Sequence, residues 1–231
     1  MRVSPILPGI YCAEYEGLYE LAMAFVRLQE YSDGARFHRK IFELEAFIAD
    51  WCERKGEGAF TYPKRWNGYN VAGTVVEEWL ARVKAESSLR PEEAQLLAAL
   101  RGAAGSPPWN GLYLFGVCDE EGPVEKALVT EHETAHAFFH LHERYRRRSH
   151  AFVGALPRDF RLRAEAVLRE KGYHRSAYTD EIQAYLSTGD IDHGMLGLKT
   201  LGCRIKRVPE IEGLQEHFSR WKRRLAHGEA P

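Results

Sequence analysis

The stretch Glu131-His132-Glu133-Thr134-Ala135-His136 places two histidines four residues apart, with a glutamate directly after the first. On a helix, residues four apart lie on one face, so both imidazoles can reach the same ion. Zinc binds neutral imidazole nitrogens at about 2.0–2.1 Å. This HExxH pattern therefore predicts a zinc ion held by His132 and His136.

The residues around the motif predict the helix that such a site needs. Helix-forming residues predominate from about 125 to 148, so His140 falls on the same face as the two predicted ligands. We expect a partly buried histidine at this position, with a further ligand or a partner of a ligand as the alternative. Small or apolar side chains surround the motif, as a partly buried metal helix requires: Leu128, Val129, Ala135, Ala137, Phe138 and Phe139.

Glu133 indicates what a zinc ion would do here. Zinc lowers the pKa of its bound water to about 7, and the neighbouring carboxylate can accept the proton of that water. The resulting hydroxide is a nucleophile that can attack an amide at neutral pH. The motif thus predicts hydrolysis, with Glu133 as the general base.

This segment resembles the zincin metallopeptidases, over about residues 109–187. The resemblance implies a third zinc ligand after the motif. His142 stands where metzincins carry a third histidine, but Phe139 replaces the glycine at which their chain turns. Glu181 matches the glutamate that gluzincins take from a second helix, and its long distance from His136 in the sequence is similar to that in the anthrax lethal factor catalytic domain. The resemblance therefore implies a His132, His136 and Glu181 site.

Asp180 is a rival ligand, because some zincins use an aspartate. Adjacent helix residues point about 100° apart, so only one of Asp180 and Glu181 can face the zinc ion. The alternative for both acids is an electrostatic role in the first turn of a helix, where carboxylates complement the helix dipole.

The resemblance also implies a donor for the oxyanion that forms during peptide hydrolysis. In enzymes similar to lethal factor this donor is a tyrosine shortly before the glutamate ligand. Tyr173 and Tyr178 are the candidates, with Tyr173 ranked first. His174 can take the same role, and simple packing is the alternative for both tyrosines.

The whole chain predicts an α+β fold that is mostly helical, with a small mixed sheet, an active-site helix and a glutamate-bearing helix. Helical spacing of apolar residues predicts helices in residues 18–28, 37–51 and 211–225, and the apolar run at 112–117 predicts a strand. If that strand lies at a sheet edge, it can pair with an extended substrate; otherwise it is a core strand.

Turn-forming residues at 102–108 predict a boundary between a helical N-terminal portion, 1–105, and a zincin-like portion, 106–231, packed as one compact unit. The stretch from Gly189 to Gly202 predicts a loop. Within it, Asp190, Asp192 and His193 form a weak cluster that is more typical of a solvated turn.

Composition is that of an ordinary globular chain. Lys and Arg number 32 against 33 Asp and Glu, and the resulting net charge of -1 favours neither nucleic acid nor acidic membranes. Four widely spaced cysteines predict reduced thiols. Prolines at 5 and 8 argue against a signal peptide, and no apolar run is long enough to span a bilayer. We expect a cytoplasmic protein.

The predicted function is a zinc metallopeptidase acting on a peptide or protein segment. A competing hypothesis is a non-catalytic zinc module that binds a protein partner, in which His140 or His142 would complete a closed shell of four ligands. A third, nucleic-acid-associated hydrolysis, depends only on the arginine run from Arg144 to Arg148. Because cations are favoured at a helix C-terminus, we expect that run to be solvated and nucleic-acid binding to be absent.

Overall fold

The computed structural model describes residues 1–56, 58–86, 88–120, 122–188 and 208–229. Their contacts divide the chain into two units, Met1–Val129 and Thr130–Pro231. The predicted boundary near residue 105 lies inside the first of these units. The predicted loop at 189–202, with its cluster of Asp190, Asp192 and His193, lies outside the described residues.

The first unit contains a four-stranded mixed sheet. Its strands are β1 (Arg2–Leu7), β2 (Ile10–Tyr15), β3 (Gly68–Ala72) and β4 (Tyr113–Cys118). The order is β1-β2-β4-β3, with β2 and β4 parallel and the other neighbours antiparallel. Together with the predominance of helix in the described residues, this confirms the predicted α+β class with a small mixed sheet.

Strand β4 is the predicted strand at 112–117, and all six of its residues are buried. It lies between β2 and β3, so both of its edges already carry backbone hydrogen bonds. The suggestion that an extended substrate pairs with this strand is therefore wrong, and β4 is a core strand. Gly116 permits close packing, because a Cβ there would lie 2.5 Å from Leu21 Cδ1 and 2.7 Å from Phe25 Cε2.

Strands β1 and β2 have no clear signal in the sequence. They form a hairpin across Pro8 and Gly9, and Gly9 has a φ of 76°, which glycine adopts without strain. Pro5 lies in β1 at the edge of the sheet, where a residue that lacks an N–H is tolerated. Because prolines and glycine interrupt the apolar pattern here, the sequence does not predict these two strands.

Four α-helices of the described residues lie wholly within the first unit: α1 (Leu18–Ser32), α2 (Leu44–Lys55), α3 (Gly73–Glu86) and α4 (Pro91–Ala104). The apolar spacing that predicts a helix from Phe37 holds only from Leu44 onward. Phe37 and Phe42 instead pack as rings 4.4 Å apart on the core of this unit.

All secondary-structure elements in the described part of the second unit are helices. Helix α5 (Pro123–Leu141) begins in the first unit and continues into the second, and the helices after it are α6 (Glu143–Ala155), α7 (Arg158–Lys171), α8 (Tyr178–Ser187) and α9 (Pro209–Ala226). Helix α8 packs against α6, α7 and α9. No helix in the described ranges is both long and apolar enough to cross a membrane.

The helix expected over 125–148 is two helices. His142 interrupts it with an extended backbone, φ -120° and ψ 103°, and precedes the first residue of α6. The break lies after the HExxH motif, so His132 and His136 remain inside the continuous part of α5.

Candidate metal centre

His132 and His136 of α5 meet Glu181 of α8 in the interior of the second unit. The two histidine Nε2 atoms are 3.1 Å apart, and His136 Nε2 lies 3.7 Å from Glu181 Oε1. One potential ligand atom from each residue lies within 4.8 Å of the other two. Two ligand atoms of a tetrahedral zinc ion are about 3.3 Å apart, given bonds of about 2.0–2.1 Å. The spacing of these three side chains therefore fits one metal ion.

The three side chains are buried, with exposed fractions of 6% for His132, 1% for His136 and 3% for Glu181. Burial, with the nearby His136 adding to it, lowers the pKa of His132 well below its ordinary value. His132 is thus a neutral imidazole, the form that binds zinc. Buried polar groups normally satisfy one another, and here one Nε2–H can donate to the other Nε2 across 3.1 Å. A metal ion bound by both nitrogens would take the place of that shared proton.

Asp180 approaches His136 from the other side of the ring. Its Oδ1 lies 2.9 Å from His136 Nδ1, while its Oδ2 lies 2.8 Å from His140 Nε2. Gln183 Nε2 also donates to Asp180 Oδ1, at 3.0 Å. Because Glu181 lies near Nε2 and Asp180 near Nδ1, the two neighbouring acids occupy different positions around the same imidazole. This is the arrangement in which one carboxylate orients a ligand and the other can be a ligand.

The charges around His136 favour a cation. Burial by itself lowers the pKa of His136, but the negative charges of Asp180 and Glu181 outweigh burial and raise it to about 10. Burial likewise raises the pKa of Asp180, and His136 and His140 outweigh that effect and lower it. The same negative potential that holds a proton at His136 also favours a metal cation in place of that proton.

His140 and His142 do not belong to this group. His140 contacts Asp180, and its side chain is 39% exposed. The His142 ring lies 4.9 Å from the Trp221 ring and 6.1 Å from Phe138. Within the part of the chain that the structure describes, His132, His136 and Glu181 form the one set of three His, Cys, Asp or Glu residues close enough to hold an ion.

Glu133 follows His132 on α5 and is 4% exposed. Its negative charge contributes to the raised pKa of His136, which places the carboxylate within electrostatic reach of the group. Tyr173 and Tyr178 are partly buried and pack against the apolar core of the second unit. Their predicted role toward an oxyanion stays a prediction.

Two side chains near the group had no role in the sequence-based prediction. The Tyr185 ring lies 4.7 Å from the His132 ring, and Lys171 Nζ lies 5.7 Å from the centre of the Tyr185 ring. Burial lowers the pKa of Lys171, and Glu181 opposes that effect. Tyr185 is four residues after Glu181 on α8, so helical spacing could have identified it. Lys171 is the last residue of α7, and no sequence pattern predicts that it lies near the metal group.

A comparison of the chain with known protein families, with curated proteins and with solved structures finds no significant match.

Proposed function

We propose that this protein is a zinc-dependent metallopeptidase, in which His132, His136 and Glu181 hold the metal and Glu133 is the general base. The observation that carries the proposal is the convergence of Glu181, from a separate helix, on the two histidines of the HExxH motif. A His2Glu donor set with neutral imidazole suits zinc. The gluzincin resemblance implies the same three residues.

The number of protein ligands favours catalysis over a structural role. A structural zinc site is closed by four protein ligands, whereas a catalytic site keeps a position open for water and substrate. In the described residues the group has three members, and His140 and His142 contact Asp180 and Trp221 instead. A closed structural site also has no need of a general base, which is the role proposed for Glu133.

Zinc, when bound, acts as a Lewis acid that makes a water molecule acidic and polarises a carbonyl group. Glu133 then removes a proton from the attacking water, whose oxygen forms a bond to the carbonyl carbon of the substrate. The same carboxylate delivers this proton to the leaving amine as the C–N bond breaks. Asp180 holds the His136 ring in the orientation that presents Nε2 to the metal.

The developing negative charge on the carbonyl oxygen needs a donor or a cation. Tyr173 and Tyr178 are the proposed hydroxyl donors. Lys171 is a candidate for a cation that stabilises this charge, because its Nζ lies near the Tyr185 ring, which packs against His132. The substrate in this proposal is a peptide or a segment of a protein.

The test begins with zinc per chain, measured by mass spectrometry after purification in metal-limited buffer. We expect one zinc in the wild type and in the control variant Glu170→Ala, which alters an exposed acid on α7, and much less in Glu181→Ala. Wild-type protein that takes up no zinc after reconstitution would overturn the proposal.

Catalysis is tested with a peptide library and the variant Glu133→Gln. We expect the wild type to cleave a subset of peptides, and the variant to bind zinc normally but to cleave them about 10²–10⁴ times more slowly. Equal cleavage by both proteins would remove Glu133 from the mechanism. One zinc per chain without cleavage of any peptide would favour the structural zinc module.

A further inference from the structure

Five arginines from two helices surround one pocket in the second unit. None of the residues that line this pocket belongs to the metal group. The pocket, called here the arginine pocket, has a volume of about 490 Å³. Trp221 and His217 of α9 line it as well. Its arginines are Arg144, Arg147 and Arg148 of α6 and Arg220 and Arg224 of α9.

The arginine pocket has a large excess of positive charge. Among the described residues that line it there is no Asp or Glu. Glu143 lies 3.7 Å from Arg147, and Glu229 lies 3.4 Å from Arg224. Arg144, Arg148 and Arg220 make no ion pair with any residue that the structure describes. Three guanidinium groups are thus available to an anion from outside.

Aromatic rings position part of this charge. The Arg148 guanidinium lies 5.5 Å from the centre of the Phe152 ring, and that of Arg224 lies 6.0 Å from the Trp221 ring. Trp221 is buried and packs edge-on against Tyr145, with ring centres 5.8 Å apart. A guanidinium that rests on a fixed ring loses less freedom when it binds a ligand.

The electrostatic effect of the cluster is visible at His217. Burial lowers the pKa of His217, and the charges of Arg148 and Arg220 lower it further, to about 4. His217 is therefore a neutral side chain at pH 7 that can donate to or accept from a ligand without adding charge.

We propose that the arginine pocket binds a small organic anion that carries at least two phosphate groups. Planar guanidinium groups match phosphate oxygens in a bidentate manner, and several of them suit a ligand with several charges. The pocket volume lies within the range of about 300–1,000 Å³ typical of small-molecule sites. This inference does not depend on the proposed peptidase activity.

A nucleic acid is the competing ligand, since it presents the same phosphate chemistry. Its backbone needs an extended basic surface, however, whereas these arginines converge from two packed helices on one pocket. Trp221 is only 6% exposed, so little of its ring is available for a base to stack on. These observations favour the small ligand.

Isothermal titration calorimetry of the purified protein tests the proposal, at constant ionic strength. The probe is fructose 1,6-bisphosphate, and fructose 6-phosphate is the ligand with one phosphate fewer. The double variant Arg148→Gln/Arg220→Gln removes two arginines of the pocket. Its control is Arg163→Gln, an exposed arginine on α7 outside the pocket. Circular dichroism and thermal unfolding verify that each variant is folded.

We expect the bisphosphate to bind wild type and Arg163→Gln at least tenfold more tightly than the monophosphate, and the double variant at least tenfold more weakly. Absence of measurable bisphosphate binding to the folded wild type would overturn the proposal. Equal weakening by Arg163→Gln would show a nonspecific charge effect and overturn it too. Tighter binding of a single-stranded oligonucleotide than of the bisphosphate, with steep salt dependence, would replace the small ligand by nucleic acid.

Discussion

The first unit and the second unit each bury charged side chains, but in opposite ways. In the first unit, Arg27 and Glu93 form a fully buried pair, with Nε–Oε1 at 2.7 Å and Nη2–Oε2 at 2.8 Å. Arg27 also donates to the carbonyl oxygens of Phe42 at 3.0 Å and Ser88 at 2.7 Å. Each charge is therefore met by hydrogen bonds, as buried charges require.

In the second unit, the nitrogen atoms of His132 and His136 face one another across 3.1 Å, and Glu181 points to the same place. Paired charges such as Arg27 and Glu93 stabilise a particular packing. Ligand atoms that converge on one point can instead hold a cation. Burial alone does not distinguish the two cases, whereas the direction of the polar atoms does.

The largest effect is expected from breaking the buried pair of the first unit. Glu93→Ala removes the buried carboxylate that pairs with Arg27, leaves the more distant and exposed Glu43 at 3.9 Å, and should lower the free energy of unfolding by about 3–5 kcal/mol. Urea-induced unfolding measures it. Glu53→Ala, an exposed acid on α2, should change it by less than about 0.5 kcal/mol. If both variants unfold alike, the pair does not stabilise this unit.

Metal removal is the corresponding test of the second unit. Zinc at about a thousandfold excess over its Kd should add about 4 kcal/mol to the free energy of unfolding, because it binds only the folded site. Thermal unfolding with zinc and with chelator measures this difference. It should vanish in His136→Ala and persist in the exposed-site variant His150→Ala. A melting temperature that does not respond to chelator in the wild type would contradict the expectation.

A smaller effect is expected when the ligands stay but their orientation is disturbed. Asp180→Asn keeps the shape of the side chain yet removes the charge beside His136 Nδ1, and it should weaken zinc binding about 10–100-fold. Competition with a chromophoric chelator gives the affinity. Asp159→Asn, an exposed acid of α7, is the matched control. Unchanged affinity in Asp180→Asn would mean that Asp180 does not position the ligand.

The smallest effect concerns a buried histidine away from the metal group. The pKa of His217 is lowered by burial from 6.5 to about 4, so the unfolded chain binds a proton between these pH values and the folded chain does not. Stability should therefore fall as the pH drops from about 6.5 to 4, with about 1 kcal/mol due to His217. The pH dependence of urea unfolding for wild type and His217→Gln measures this share. Identical profiles would exclude the effect.

Much of the local structure was predictable from the sequence because its causes are local. The spacing of His132 and His136 places them on one face of α5, the apolar run before the motif forms β4, and the pattern after Pro209 forms α9. The hairpin of β1 and β2 was not predictable in the same way. A proline normally argues against a strand, but Pro5 is tolerated in β1 because this strand lies at the edge of the sheet.

By itself, the sequence determined the helix that carries the HExxH motif and the chemical types of the side chains on it. Only the tertiary structure decided that Glu181 lies near His136 Nε2 while Asp180 lies near His136 Nδ1. It also decided that the His142 ring packs against the Trp221 ring. It also brought Arg220 to the arginine run of α6. The physical reason is that helical spacing relates residues within a few turns, whereas the packing of separate helices determines which distant side chains meet.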